Sequence, residues 1–135
     1  MNVLVIDGQG GGMGRQLIEA LCLRLPKAEL IAVGTNSIAT ASMIKGGAIK
    51  AATGENAVIV GCRNADIIIG PIGIISADSL LGEITPQMAK AVGQSRATKI
   101  LIPINKCGII VAGGVNAPLS ALIKDAVDKV VEITM

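Results

Sequence analysis

Val3 to Leu17 read VLVIDGQGGGMGRQL, an apolar run that stops at Asp7 and passes into five glycines within seven residues (Gly8, Gly10, Gly11, Gly12 and Gly14). Beyond them Leu17, Ile18, Leu21, Cys22 and Leu25 recur at helical spacing, Arg15, Glu19 and Arg24 occupy the other face, and Pro26 closes the segment. A strand, a glycine loop and an amphipathic helix in that order form the unit that presents backbone N–H groups to an anion.

The spacing separates the phosphate-binding classes. A P-loop needs G-x-x-x-x-G-K-[ST], but counting back from Gly14 puts the first position at Gln9, and Arg15-Gln16 replace the lysine and the hydroxyl. The dinucleotide pattern G-x-G-x-x-G fits better. Gly8 and Gly10 have its first spacing, and the third glycine arrives one residue late at Gly14. The plainer alternative is a flexible turn with tight helix–strand packing. Asp7 sits awkwardly beside an incoming phosphate, and it serves equally well as a cap for its own turn.

Working outward, the continuous Ile/Val runs read as strands covered on both faces. The expected strands are Val3–Ile6, Glu29–Gly34, Ala48–Thr53, the run DIIIGPIGII from Asp66, whose Gly70-Pro71 ends regular pairing, KILIPIN from Lys99, and a sixth, GIIVAGG, at Gly108–Gly114. Between them fall helices: one capped by Thr35 or Asn36 and stopped at Gly46-Gly47, and one begun by Thr85 and Pro86. The last carries Leu119, Leu122, Ile123, Ala126, Val127, Val130 and Val131 as one apolar stripe. GENAVIVGCRNA is strand-like by propensity at Val58–Val60, but the alternating order favours a helix capped by Thr53; SADSLLG is read as a short helical turn. The predicted fold is a three-layer, Rossmann-like α/β domain spanning residues 1–135, with a mostly parallel sheet of five or six strands flanked by helices.

Such a fold gathers its strand ends at one edge. There lie Asp7, Gly8, Gln9, Gly10, Gly11, Gly12, Met13 and Gly14; Gly34, Thr35 and Asn36; Thr53, Glu55 and Asn56; the turn Gly70, Pro71, Ile72 and Gly73; and Asn105-Lys106. All but the last pair are taken as candidate binding residues. NAD-binding domains place a carboxylate on the ribose at the end of the second strand, and NADP-binding ones an arginine nearby. Here Gly34-Thr35-Asn36-Ser37 offers neither, only neutral donors or a helix cap. NAD and NADP therefore both stay open. On this same edge Glu55, Asp78, Glu83, Lys106 and Cys107 are the remaining candidates for chemistry, and none has a catalytic role assigned. Glu55 doubles as a first-turn acid, Asp78 as one in the helical turn after Ile75, and Lys106-Cys107 as a surface turn.

Composition excludes several classes. The chain has no histidine and no paired cysteines, so no metal site is expected. It has no Phe, Tyr or Trp, so no ring stacks on a base. A net charge of +2 with 16% charged residues shows no basic stripe for nucleic acid. The longest apolar run, Ile67 to Ala77, is too short for a membrane span and broken by Pro71. Three widely spaced cysteines without a secretory signal suit the cytoplasm. The apolar content of 51% leaves room for a homo-oligomer interface.

VIDGQGGGMG, GTN, ATGENA, IIGPIGII, LGEITP and ILIPIN together resemble a family of small, uncharacterised bacterial Rossmann-like proteins, a domain of unknown function. The resemblance runs through nearly the whole chain. It implies a bacterial, cytoplasmic protein that stands without a substrate domain, and it carries no mechanism. The sequence thus predicts binding of a nucleotide, an NAD(P)-like dinucleotide or another phosphorylated small molecule at Gly8–Gly14. The alternatives are a non-catalytic regulatory or structural homo-oligomer and, further off, a small oxidoreductase subunit.

Overall fold

The structure, a computed structural model, describes residues 1–104, 107–114 and 116–134. Five strands, β1 (Asn2–Asp7), β2 (Glu29–Gly34), β3 (Lys50–Thr53), β4 (Ile67–Pro71) and β5 (Thr98–Ile102), form one parallel sheet in the order β3-β2-β1-β4-β5. Helices α1 (Gly12–Arg24), α2 (Ser37–Lys45), α3 (Glu55–Asn64), α4 (Pro86–Gln94) and α5 (Leu119–Thr134) complete the three layers.

The period-two geometry of a strand explains why the buried runs are apolar throughout. Val3 and Val5 face Leu17, Ile18 and Leu21 of α1, Met43 of α2 and Ile123 and Val127 of α5. Leu4 and Ile6 point the other way, onto Val58 and Cys62 of α3 and Met88 and Val92 of α4. Burial among these side chains pushes the Cys62 thiol up to about 11, with Lys99 pulling the other way.

Caps follow the expected chemistry in two places. Asn36 Oδ1 accepts the Ala39 N–H at 2.9 Å, and Thr85 Oγ1 accepts that of Met88 at 3.1 Å. GENAVIVGCRNA is helical, as the chain order required, but Thr53 does not cap it. Gly54 stands at that position, and the Thr53 hydroxyl instead bonds Thr40 Oγ1 at 2.7 Å.

Two expected elements are corrected. Gly108–Gly114 is exposed and turn-like rather than a sixth strand: Ile110 is 91% exposed and Gly113 has φ +79°. Among the described residues no strand pairs with it. In the run from Asp66, pairing ends at Gly70-Pro71 as expected: β4 closes at Pro71, and Ile72–Ile75 form a 3₁₀ turn. SADSLLG is not helical. Asp78, Leu80 and Leu81 all take left-handed φ angles, +67°, +54° and +56°. Asn105 and Lys106 lie outside the described residues.

Left-handed backbone costs an L-residue roughly 1–2 kcal/mol. Leu80 recovers this by burial, whereas Leu81 is 96% exposed. Leu81→Asn, which tolerates the conformation and removes an exposed apolar side chain, is expected to raise stability by about 0.5–1 kcal/mol. Urea unfolding checks it; an unchanged or lower midpoint contradicts the assignment of strain to this residue.

Candidate functional site

Strand order reverses direction at β1 and β4, so the crevice between their carboxyl ends is where such sheets receive ligands. A cleft of about 120 Å³ opens there, lined by Asp7, Gly8, Gln9, Gly10, Gly11, Gly12, Met13, Pro71 and Leu80. A larger groove, about 450 Å³ between α3 and α4, lies at the opposite edge, where those helices lead into β4 and β5.

The cleft floor is the glycine loop. Gly11 has φ +73°, and a Cβ there would stand 2.7 Å from Ala39 Cα, so only glycine permits both the turn and the close approach of α2. Gly14 fills the packing role of the third glycine in a dinucleotide motif, since a Cβ would meet Met43 Sδ at 2.7 Å and Asp7 Cβ at 2.8 Å.

Asp7 is turned inward and held. Its Oδ1 accepts the Gly8 N–H at 2.8 Å and its Oδ2 accepts the Gly14 N–H at 2.6 Å. Gly11 N–H bonds back to Gly8 O at 3.0 Å. The N–H groups of Gly10, Gly12 and Met13 have no partner among the described residues, and all three residues line the cleft at the N-terminus of α1. Among the described residues no lysine or arginine lines it.

Burial pushes the Asp7 carboxyl above its ordinary range, and the nearby Glu83 charge adds to this, against the Gly14 and Gly8 bonds that pull it down. The folded chain therefore holds this proton more tightly than the unfolded one. Asp7 stabilises the fold most at low pH, and its contribution falls as pH rises through the folded pKa. Asp7→Asn abolishes that dependence while setting an NH₂ group against one buried N–H, a loss of about 1–3 kcal/mol. Urea unfolding should show the variant below the parent by that margin near pH 4, with the gap narrowing towards pH 7. A gap that widens with pH contradicts this reading.

A second carboxylate reaches the loop from the left-handed segment. Glu83 Oε1 accepts three donors: the Gln9 N–H at 2.9 Å, Thr35 Oγ1 at 2.6 Å and Asn36 Nδ2 at 2.7 Å. Burial alone would raise its pKa, but the bonds from Thr35, Gln9 and Asn36 prevail and lower it. Asn36 Nδ2 also reaches Gln9 O at 3.0 Å. Thr35 and Asn36, read as donors for a ribose, are thus already engaged by Glu83.

Asp7, Gly8–Gly14 and Pro71 meet in and around the cleft, with Gly34, Thr35 and Asn36 beside it through Glu83. Ile72 is buried, and Gly73 turns towards Ser79, whose hydroxyl donates to Gly73 O at 2.5 Å. Thr53, Glu55 and Asn56 do not line the cleft. Glu55 Oε1 accepts the Thr85 hydroxyl at 2.9 Å instead. The sequence put Glu83 on the ligand edge but did not connect it to Thr35 and Asn36; the one signal for that was a second strand end lacking the carboxylate its fold usually carries.

The family model for a domain of unknown function (DUF3842) matches residues 2–135. The chain belongs to that family. DUF3842 membership agrees with the resemblance and the Rossmann-like layers. No curated protein matches the chain. Among solved structures, the chain is similar to a dodecameric FMN-dependent UbiX-like decarboxylase from Escherichia coli O157:H7. The identity is 14%, over 99% of this chain and 94% of that one, at a TM-score of 0.45. Among the described residues no helix is long and apolar enough to cross a membrane, and no group of three or more His, Cys, Asp or Glu could hold a metal.

Proposed function

We propose that this DUF3842 chain, acting as one domain over residues 1–135, binds the phosphate of a nucleotide or similar small molecule in the cleft between β1 and β4. The observation that carries this is the set of three unpartnered N–H groups, on Gly10, Gly12 and Met13, lining a cleft at the switch point. Asp7 is compatible with an anion because its two oxygens face the loop's own amides and burial favours its neutral form. With no cation among the described residues that line the cleft, recognition rests on backbone N–H groups and the α1 dipole. No residue here is assigned catalysis, so the reading is a binding protein.

The chain has no Trp, Tyr or Phe, so NADH fluorescence can be titrated with almost no background from the protein. Saturable enhancement, competed by pyrophosphate, is the expected result. No response to NADH and no heat or melting shift with ADP or pyrophosphate would reject the proposal.

A further inference from the structure

The arrangement around Glu83 deepens the proposed reading and rests on it. Ribose recognition in sheets of this order uses a carboxylate at the end of β2. The chain there is Gly34-Thr35-Asn36, with no acid. The structure supplies one from 47 residues beyond Asn36, where Glu83 lies against Thr35, Asn36 and the Gln9 amide.

All three donors converge on Oε1, leaving Oε2 without a hydrogen-bond partner among the described residues. A carboxylate held this way keeps its orientation and its charge while one oxygen remains open to accept. Its setting is built rather than incidental. Asp78 N–H donates to Ile84 O at 2.7 Å and Ile84 N–H to Ser79 O at 3.2 Å, closing the left-handed segment into a loop. Leu80 is buried next to Glu83's neighbours, and a Cβ on Gly8 would meet Leu80 Cδ1 at 2.9 Å and Thr35 Oγ1 at 2.7 Å. Three strained residues within four positions are held where they deliver Leu80 to the cleft and Glu83 to the end of β2.

We infer that Glu83 is the specificity-determining residue of the cleft, accepting a ribose hydroxyl through Oε2, so that the ligand class is a nucleotide with an unsubstituted 2′-hydroxyl. A 2′-phosphate would meet the carboxylate charge, with no arginine or lysine among the described residues that line the cleft to offset it. Thr35 and Asn36 are positioning residues, acting through Glu83.

The test titrates the full chain and its Glu83→Gln variant with NADH and NADPH, with pyrophosphate as a probe of the loop alone. Gln Oε1 can still accept the three donors, so the variant should melt within a few degrees of the parent. The parent should bind NADH at least about tenfold more tightly than NADPH, and the variant should bind NADH about 10- to 100-fold more weakly. Pyrophosphate affinity should change less than about threefold. Equal NADH and NADPH affinity in the parent, which needs no variant, overturns the inference. So does unchanged NADH affinity in Glu83→Gln. Pyrophosphate binding without NADH binding removes the ribose assignment and leaves the phosphate loop standing; binding of neither removes both.

Discussion

Gly70→Ala is expected to lose about 3 kcal/mol or more of stability, lowering the melting temperature by roughly 10 °C or more for a chain of this size. Gly70 lies in β4 beside β1, and a Cβ built on it collides with the carbonyl oxygen of Ile6, with Ile74 Cδ1 at 3.3 Å on another side. The obstacle is backbone in the central strand of the sheet, flanked by β2 and β4, so no rotamer change relieves it. The two strands would have to part at the point where the cleft begins, which places the cost at the upper end of overpacking penalties, roughly 1–3 kcal/mol. Gly93→Ala is the matched control. Its Cβ meets nothing within 4 Å, in the last turn of α4, and should be neutral to stabilising by up to about 1 kcal/mol. Thermal and urea unfolding of both variants check this. Equal stabilities would mean that β4 and β1 do not approach as closely as described.

Gly12→Asp should abolish ligand binding while leaving the fold intact. A Cβ on Gly12 meets nothing within 4 Å, and the residue is the first of α1, where an acid is favoured by the helix dipole by about 0.3–1 kcal/mol. The same carboxylate would stand beside the unpartnered Gly10, Gly12 and Met13 N–H groups. Two unit charges about 4 Å apart near a protein surface repel by about 4 kcal/mol. Allowing for solvent screening, a loss of about 100-fold in pyrophosphate and NADH affinity is expected. Gly12→Ala separates size from charge and should weaken binding far less. Calorimetric titration beside a melting curve reads both quantities; wild-type affinity in a folded Gly12→Asp protein would refute the loop as the phosphate site.

Much of the fold was legible because its signals are local. Val3–Ile6 is apolar at every position since both faces of β1 are covered. Pro86 after Thr85 and the stripe on α5 each specify an element within a few residues. The misreadings fell where a segment's state depends on distant partners. Gly108–Gly114 has strand composition but, among the described residues, no strand to pair with. Asp78 to Leu81 have helical composition, and hydrogen bonds to Gly73 and Ile84 hold the segment in a loop that isolated residues would avoid.

The site divides in the same way. The amino-acid sequence by itself determined that a glycine loop follows β1, that its spacing is not that of a P-loop, and that no histidine or aromatic ring is available. These are properties of residue identity and short spacing. Tertiary structure alone decided that Asp7 turns inward onto Gly8 and Gly14, leaving three amides open, and that the carboxylate missing from the end of β2 arrives as Glu83. The physical reason is that a charge acts through space. Thr35 and Glu83 are 48 positions apart in the chain and 2.6 Å apart in the fold.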